Sequence, residues 1–353
     1  MKILLMMDPG ISVPPKQYGG HERLVYSFAE EYIKLGHEVT LLAGPDSYCS
    51  GKTITYGIND LKRSKFQRAK EIFFVWRYLR RNKNNFDLVH NFGRLILLLP
   101  IINSPVKKIM SYGRSVTASG IRKITTLPNR NLIFTACSSY CANFGNVAGT
   151  WRIVYNAIDF SKYQLTQIID EEAPLVFLSR LDKIKGPHVA INIALKTGDK
   201  LLIAGNKPTT PDDQAYYEEF VLPFIDQQQI IYVGEVNDEQ KNAMLGKSKA
   251  MLFPLSGEEA FGLVMIEAMA CGTPVIAFNH AAAPEVIDDG LTGFIVNTED
   301  EMLKALDKIP QIDRDKCRQV AGQRFDVKVI AKQYLNLFNN DNPLLYQANT
   351  SKS

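Results

Sequence analysis

The chain has 353 residues, of which 46% are hydrophobic and 22% are charged. This composition is typical of a globular protein and excludes a disordered or collagen-like chain, and the length favours two domains. Five cysteines are too few, and odd in number, for a disulfide scaffold, so we expect reduced thiols and a cytoplasmic protein. The longest apolar run, residues 95–102, is far shorter than the roughly 20 residues that span a bilayer, and no secretory signal is evident.

The formal charge is divided unevenly along the chain. Residues 1–160 contain 22 Lys and Arg against 10 Asp and Glu, a net charge of +12, whereas residues 161–353 contain 19 against 27, a net charge of −8. Opposite signs favour two domains with different partners, although drift in surface charge would give the same numbers. Cys137 and Cys141 lack a second Cys or His pair with ligand spacing, so we expect no zinc site.

In chain order, apolar runs and helical periodicity predict alternating strands and helices. The first half contains predicted strands at 2–7, 39–42, 87–90, 108–111 and 132–136, and helices at 21–35 and 65–81. The second half contains predicted strands at 175–179, 201–204, 230–233, 250–254, 274–277 and 294–296, and helices at 187–195, 218–227, 238–247 and 263–270. This alternation predicts an α/β fold with two parallel sheets, joined near residues 156–165. A last helix at 328–338 precedes a polar tail that we expect to be mobile.

The most informative segment is residues 255–278, where Glu259 and Glu267 are eight residues apart. Glu267 interrupts the apolar run 263–270, which predicts a buried helix with a carboxylate that needs a partner. Helical spacing would put both carboxylates on nearly one side of the helix start, where unpaired amides and Gly262 suit a phosphate. A nucleotide sugar, with hydroxyls at both ends of a diphosphate, fits this pattern. The alternative is that Glu267 is a structural acid paired with a buried arginine.

Two further segments place cations or glycines where α/β sheets bind anions. Arg180 follows a predicted strand and Lys185 precedes Gly186 and a helix, so we predict charge-assisted contacts with phosphate. The alternative for both cations is a solvated surface. In the first turn, Gly19 and Gly20 precede a helix without the G-x-G-x-x-G spacing of a nicotinamide or flavin site. They indicate either an anion-binding turn or a simple glycine turn.

Taken in order, these segments resemble those of the retaining glycosyltransferases of family 4. The resemblance covers most of residues 1–340 and, beside the E-x7-E segment, rests on YGGHER (18–23), GHEVTLL (36–42), FDLVHN (86–91), VYNAID (154–159), RLDKIKG (180–186), LLIAG (201–205), YVGEVNDEQ (232–240) and PEVIDDGLTGFIV (284–296). It implies the GT-B fold, in which two Rossmann-like domains have parallel sheets that face a central cleft. Residues 1–160 would form the acceptor-side domain and 161–325 the nucleotide-sugar domain. Within 326–353, a C-terminal helix would cross back to the first domain.

The resemblance also implies roles for individual residues. Glu259 would contact the hydroxyls of the transferred sugar, and Glu267 those of the ribose. Arg180 and Lys185 would neutralise the diphosphate as its bond to the anomeric carbon breaks. The remaining contacts would be made to the donor phosphates, by Gly19 and Gly20 from the first domain and by the backbone amides of Phe261, Gly262 and Leu263.

The sequence departs from the family pattern in two places. Many relatives carry a histidine after the strand that ends near Ser111, where it touches the donor sugar, whereas this chain has Tyr112, Gly113 and Arg114. His90 lies one strand earlier, and we predict that it ends a strand near the cleft and binds substrate. The glycine-rich turn before PEV is replaced by three alanines. Both departures leave the identity of the donor sugar open.

The resemblance implies retaining transfer of a sugar from a nucleotide sugar to a glycan or glycolipid in cell-surface polysaccharide synthesis, with a UDP-sugar favoured over a GDP-sugar. No side chain is an evident nucleophile, which fits a front-face mechanism in which the leaving phosphate helps to deprotonate the acceptor. Neither a metal nor a cofactor is implied, and the D-x-D at 313–315 is interpreted as solvated surface. Two alternatives stay open: a nucleotide-sugar 2-epimerase of similar fold, and an inactive nucleotide-sugar-binding protein.

Residues 62–83 contain nine Lys and Arg and one acid, Glu71. Helical periodicity predicts that five apolar side chains pack inward on the first sheet: Phe66, Ile72, Phe73, Trp76 and Leu79. The cations then form a positive outer surface that suits anionic lipid head groups or an acidic glycolipid. We therefore expect peripheral, salt-sensitive contact with an anionic membrane. We expect no nucleic-acid partner, because no recognition motif accompanies the charge.

Overall fold

The structure is a computed structural model that describes residues 1–16, 19–114, 116, 118–143, 150–339 and 345–347. Most of the polar tail that we expected to be mobile lies outside these residues. The chain divides into two compact units, the first of Met1–Ala157 with Val327–Ser353 and the second of Ile158–Asp326.

Strands and helices alternate through both units. The strands are β1 (Lys2–Met6), β2 (Glu38–Ala43), β3 (Lys52–Thr55), β4 (Leu88–Asn91), β5 (Lys107–Tyr112), β6 (Leu132–Ala136), β7 (Thr150–Ile153), β8 (Leu175–Leu178), β9 (Leu201–Ala204), β10 (Ile230–Gly234), β11 (Ala250–Phe253), β12 (Val275–Phe278), β13 (Gly293–Val296) and β14 (Leu345–Gln347). The α-helices are α1 (Gly20–Lys34), α2 (Lys65–Asn82), α3 (Ala118–Thr125), α4 (Ser139–Asn143), α5 (Pro187–Thr197), α6 (Pro211–Phe220), α7 (Asp238–Lys247), α8 (Leu263–Ala270), α9 (Ala283–Val286), α10 (Glu299–Leu306), α11 (Arg314–Phe325) and α12 (Val327–Leu335).

Each unit is built on one sheet of mainly parallel strands. In the described residues of the first unit the strand order is β14-β7-β6-β5-β4-β1-β2-β3, with β14 antiparallel to β7 and the other pairs parallel. In the second unit the order is β10-β9-β8-β11-β12-β13, and these pairs are parallel. Central strands such as β11 (AMLF) are buried throughout, because helices cover both faces of a parallel sheet. The predicted α/β class is confirmed.

The predicted helix at 218–227 is wrong, because helix α6 begins seven residues earlier and ends at Phe220. The Thr210 hydroxyl caps α6 by accepting a hydrogen bond from the Asp213 amide, and Pro211 occupies the first helical position. Pro223 then prevents the helix from continuing, since it has no amide hydrogen to donate. Short or polar elements also escaped the sequence prediction: β3, β7, β14, α3, α4, α9, α10 and α11.

The last helix, α12, packs in the core of the first unit. Ile330, Ala331 and Tyr334 are buried in the same cluster as residues of α1, β1 and β2. The Tyr334 ring meets the Phe28 ring of α1 edge to face, with 5.2 Å between centroids. The core of this unit is therefore completed by residues from both ends of the chain.

The predicted inward packing of the α2 stripe holds for Leu79 and in part for Ile72 and Trp76, but it is wrong for Phe66 and Phe73. Phe66 and Phe73 are 68% and 66% exposed, whereas the buried positions of α2 are Glu71, Val75 and Leu79. Glu71 is buried because two guanidinium groups meet it: Arg94 Nη2 lies 3.2 Å from Oε2 and Arg63 Nε lies 3.4 Å from Oε1. Residue type alone could not show that the core would accept an acid and exclude two phenylalanines.

The interpretation of residues 313–315 as solvated surface is also wrong for its central residue. Asp313 caps α11 and is exposed, but Arg314 is 8% exposed and its guanidinium points inward. Arg314 donates four hydrogen bonds, to the carbonyls of Thr166, Gly246 and Ser248 and to the Thr273 hydroxyl. These bonds tie α11 to the segments around α7 and α8.

We predict that Arg314→Leu lowers the free energy of unfolding by about 3 kcal/mol, because the buried carbonyls lose their donor. Lys316→Leu is the matched control, since Lys316 is exposed on the same helix and should change stability by less than about 0.5 kcal/mol. Urea unfolding of the three proteins measures both values. Equal stability of the two variants would show that the Arg314 network contributes nothing.

Candidate functional site

The strand order of the second sheet reverses between β8 and β11. From β8 the chain continues to β9 and β10 on one side, and β11, β12 and β13 follow on the other. In open α/β sheets, ligands bind outside the carboxyl ends of the strands at such a reversal. We call the residues that follow β8 and β11 here, with the start of α8, the switch-point site.

Gly186 brings the two loops of the switch-point site into contact. Its φ is +74°, and a side chain there would place a Cβ 2.3 Å from the Pro254 carbonyl oxygen at the end of β11. The Ser256 amide also donates to the Ile184 carbonyl at 2.9 Å. Glycine is therefore required at position 186 for this close approach.

This contact joins two of the predicted site residues. Lys185 Nζ donates to Glu259 Oε2 at 2.6 Å, and the two side chains are 10% and 27% exposed. A partly buried cation and carboxylate in direct contact can each bind a polar ligand group, one as donor and the other as acceptor. The structure thus places a charged pair at the carboxyl ends of β8 and β11.

Arg180 follows β8 and remains half exposed. Its guanidinium lies 2.7 Å from Asp182 Oδ2, and the Asp182 side chain is 9% exposed. Asp182 was not predicted as a site residue. It fixes the Arg180 side chain while leaving much of the cation accessible to an anion.

Glu267 lies in α8 and has two partners on the same oxygen. Oε1 accepts from Lys241 Nζ at 2.6 Å and from the Tyr163 hydroxyl at 2.9 Å. Within the described residues no donor reaches Oε2, so this oxygen is the one that could accept ligand hydroxyls. Burial and the neighbouring carboxylate raise the pKa of Tyr163, so its hydroxyl stays protonated as a donor. The cation that pairs with Glu267 is a lysine, not the arginine considered from the sequence.

The bounds of α8 agree with the predicted helix at 263–270, but the predicted helical relation between Glu259 and Glu267 is wrong. The helix begins at Leu263, so Glu259 lies in the loop before it and helical spacing does not relate Glu259 to Glu267. Gly262 has a left-handed backbone (φ +84°), and no side chain caps the helix start in the described chain. Phe261 is 1% exposed and packs edge to face on Phe325, so its side chain is structural. The amides of 261–263 remain predicted anion donors.

In the first unit, Gly19 precedes α1 and Gly20 is its first residue. A Cβ at Gly19 would lie 2.8 Å from the Pro15 Cβ, so packing alone requires glycine there. No side chain among the described residues caps this helix start. The contact of both glycines with phosphate stays a prediction.

His90 is placed differently from the expectation. It is fully buried, its Nδ1 lies 3.1 Å from the Tyr32 hydroxyl, and its Nε2 lies 2.8 Å from Ser111 Oγ. Burial lowers the pKa of His90 to about 3, so the ring is neutral. Both nitrogens of His90 are engaged inside the core, which does not support the predicted contact with substrate.

His21 is a second histidine of the first unit, and no sequence motif marked it as a site residue. It lies in the first turn of α1, and a Cβ at Gly113 would be 3.0 Å from His21 Nε2. Both ring nitrogens are buried, and neither has a hydrogen-bond partner in the described part of the chain. Burial and the charge of Arg114 lower its pKa to about 4. A neutral imidazole thus stands beside the loop after β5, where relatives were expected to carry a histidine.

No group of three or more His, Cys, Asp or Glu side chains that could hold a metal ion occurs within the described ranges. The helices in the same ranges include none long and apolar enough to cross a membrane.

Sequence comparison with known proteins finds similarity mainly in the second unit. The profile of the family described as "Glycosyl transferases group 1" matches residues 163–323. An "Uncharacterized 41.2 kDa protein in cps region" of Klebsiella pneumoniae is 29% identical over 202 residues, covering 53% of this chain and 54% of that protein. A "Phosphatidyl-myo-inositol mannosyltransferase" of Propionibacterium freudenreichii is 34% identical over 115 residues, covering 30% of each. The matches thus span about half of the first relative and less than a third of the second.

A solved structure extends the likeness to the whole fold. The crystal structure of Anabaena Alr3699/HepE in complex with UDP-glucose superposes with a TM-score of 0.68 at 17% identity, covering 95% of this chain and 98% of that one. The two α/β units with parallel sheets therefore define a GT-B protein. Residues 163–323 match the glycosyl transferases group 1 model, so the second unit is similar to that family.

We predict that acid destabilises the protein partly through His90. Its folded pKa of about 3 lies below the roughly 6.5 of an unfolded histidine, so the unfolded state binds more protons as the pH falls. This contribution is complete above about pH 6.5 and is lost at about 1.4 kcal/mol per pH unit below it. Unfolding free energies of wild type and His90→Gln, compared from pH 7.5 to 4.5, measure the effect.

The difference in unfolding free energy between wild type and His90→Gln should shrink as the pH falls, because glutamine does not titrate. A difference that stays constant across this range would contradict the buried neutral histidine. His21 is present in both proteins and cancels from the comparison.

Proposed function

We propose that the chain transfers a sugar from a nucleotide sugar to a hydroxyl group of a glycan or glycolipid. The observation that carries this proposal is the Lys185–Glu259 pair at the switch-point site of a unit that matches the group 1 model. The two side chains are in direct contact with each other. The lysine can bind a diphosphate, and the carboxylate can accept hydrogen bonds from sugar hydroxyls. In a nucleotide sugar those two chemical groups are joined by the bond that must break.

The donor that these residues suit best is a UDP-sugar, with a GDP-sugar as the second choice. The related Anabaena structure contains UDP-glucose, which supports a uridine donor here by similarity of fold. Glu267 Oε2 is available to accept the ribose hydroxyls, while Lys241 and Tyr163 hold Oε1.

The transfer that we propose retains the anomeric configuration and uses no metal. The bond from the anomeric carbon to the diphosphate oxygen breaks, and the acceptor oxygen bonds to the same face of that carbon. The acceptor proton passes to the leaving phosphate oxygen. Lys185 and Arg180 neutralise the charge that grows on this phosphate, which stabilises the transition state more than the ground state.

The acceptor class that we propose rests on the names of two relatives. One relative is named a phosphatidyl-myo-inositol mannosyltransferase, and another is named for a cps region. These names support a role in cell-surface polysaccharide or glycolipid synthesis. A cytoplasmic location agrees with five cysteines that are thiols, of which all but Cys49 are buried. The alternatives remain a nucleotide-sugar 2-epimerase and an inactive nucleotide-sugar-binding protein.

The test is hydrolysis of a panel of UDP- and GDP-sugars without acceptor, followed over hours. For the active donor, Lys185→Ala and Arg180→Ala should each lose roughly 10- to 150-fold in kcat/KM, because each removes one charge-assisted contact. Glu259→Ala should lower kcat more than it raises KM. The matched controls are the exposed neighbours Lys183→Ala and Glu258→Ala, which should behave like wild type.

The same assay separates the alternatives. Formation of a 2-epimer would identify an epimerase, and donor binding without turnover would identify an inactive module. Activity that a chelator abolishes and magnesium or manganese restores would refute metal independence. Proton NMR of a fresh transfer product reports whether its anomeric coupling is that of the donor.

We further propose that His21 binds a hydroxyl of a sugar substrate. Its two unpartnered nitrogens and its neutral state support this role, since imidazole can then donate and accept at once. His21→Ala should lower kcat/KM by roughly 3- to 12-fold, the effect of one neutral hydrogen bond. A series of deoxy substrates, each lacking one hydroxyl, tests this contact. The analogue that lacks the hydroxyl bound by His21 should have the same kcat/KM with wild type and with His21→Ala. If every analogue is slowed by the same factor in both proteins, His21 makes no such contact.

A further inference from the structure

Helix α2 turns an apolar and basic face to solvent. Phe66 and Phe73 are 68% and 66% exposed and are seven residues apart, so they lie within about 20° of each other on the helix surface. Phe74 beside them is 43% exposed, and Leu61 in the preceding segment is 67% exposed. Exposed aromatic groups of this size need an explanation, because each costs free energy in water.

Cations surround these apolar side chains. Lys70 Nζ lies over the Phe66 ring at 4.4 Å from its centroid, and a surface groove is lined by Ala69, Lys70, Phe73, Phe74 and Arg77. Further exposed cations on or beside the helix are Lys62, Lys65, Arg68, Arg80 and Arg81. We call this set of exposed phenylalanines and cations the α2 face.

The acid in this segment does not neutralise the α2 face. Glu71 is 4% exposed and is engaged inward by Arg94 and Arg63. Phe73 lies about 200° around the helix axis from the buried Val75, so the charge of Glu71 and the phenylalanines are on opposite sides. Within residues 62–83 the outer surface therefore combines apolar rings with positive charge, and the exposed acid that precedes them, Asp60, accepts a hydrogen bond from the Lys62 amide at 2.7 Å.

We propose that the α2 face binds the surface of an anionic lipid bilayer, with Phe66 and Phe73 inserted among the acyl chains and the cations at the head groups. A helix with aromatic residues flanked by Lys and Arg is suited to lie in the interface plane. Charge complementarity selects this occupant, because each cation near an anionic membrane adds attraction and each ring gains burial.

Two other occupants fit less well. A second copy of the chain would bring two sets of cations together around the same rings, which like-charge repulsion opposes. A nucleic acid would use the cations but would not require two phenylalanines at the centre of the face on a helix without a recognition motif. Both become outcomes of the test.

The experiment is co-sedimentation of the full chain with vesicles made of an equal mixture of phosphatidylglycerol and phosphatidylcholine, compared with phosphatidylcholine alone. Wild type should bind the anionic vesicles and release in high salt, and should bind neutral vesicles little. Lys70→Glu with Arg77→Glu should weaken binding on the order of 30-fold or more. The matched control, Arg122→Glu with Lys123→Glu, makes the same charge change on exposed positions of α3 and should bind like wild type.

Insertion is tested separately from charge. Phe66→Ser with Phe73→Ser keeps every cation and should weaken binding by roughly 10-fold. Brominated acyl chains should quench Trp76 of α2 and leave Trp151, which is fully buried, unaffected. Full binding by the serine variant, or absence of Trp76 quenching on bound vesicles, would overturn the insertion.

Other results would overturn the membrane assignment itself. These are equal binding to neutral and anionic vesicles, no binding to either at low salt, a phenylalanine-dependent dimer in sedimentation, or tighter binding to a nucleic-acid duplex than to anionic vesicles. The vesicle assay contains no nucleotide sugar, so absence of membrane binding leaves the proposed sugar transfer to be judged by the donor-hydrolysis test alone. All α2 variants should hydrolyse the donor as wild type does.

Discussion

The close approach of Gly186 to Pro254 is the constraint on which the switch-point site depends. The reversal of strand order between β8 and β11 opens the end of the sheet, but topology alone does not bring the loops together. The left-handed glycine removes the side chain that would overlap the Pro254 carbonyl. Lys185 is the residue immediately before Gly186, so this backbone contact carries its ammonium group to Glu259. The absence of a side chain at position 186 therefore allows the cation–carboxylate pair to form at the open end of the sheet.

Charged residues inside this protein are retained where each meets a specific partner. Glu267 has Lys241 and Tyr163, Glu71 has two arginines, and Arg314 has four oxygen acceptors. Removing a charge from water is costly unless hydrogen bonds replace hydration, and these contacts replace it. The partners do not serve stability alone. At Glu267 they occupy one carboxylate oxygen and so orient the other.

The sequence predicted most central strands, because apolar runs are local signals. Isolated charges in such runs are local signals too, and they marked Lys185, Glu259 and Glu267 as candidate site residues. It did not predict Lys241 or Tyr163, which reach Glu267 from 26 and 104 residues away in sequence. No periodicity connects positions so distant, and only tertiary packing brings them together. The wrong helix at 218–227 has another cause, because a proline ends the helix there. The burial of Arg314 was missed because its guanidinium has hydrogen-bond acceptors in the protein interior.

The orientation of α2 shows how such buried charge determines a surface. Turning Phe66 and Phe73 inward would require rotating the helix by about half a turn, which would expose Val75 and Leu79 and separate Glu71 from its arginines. The rotation is also fixed by the Trp76 indole, which donates to the Ile96 carbonyl at 2.9 Å. The phenylalanines are therefore held outward by the buried contacts of Glu71, Val75 and Leu79 and by the Trp76 hydrogen bond at the flank of the helix. A face held in this way is already formed before any partner arrives, and binding to it orders no new backbone.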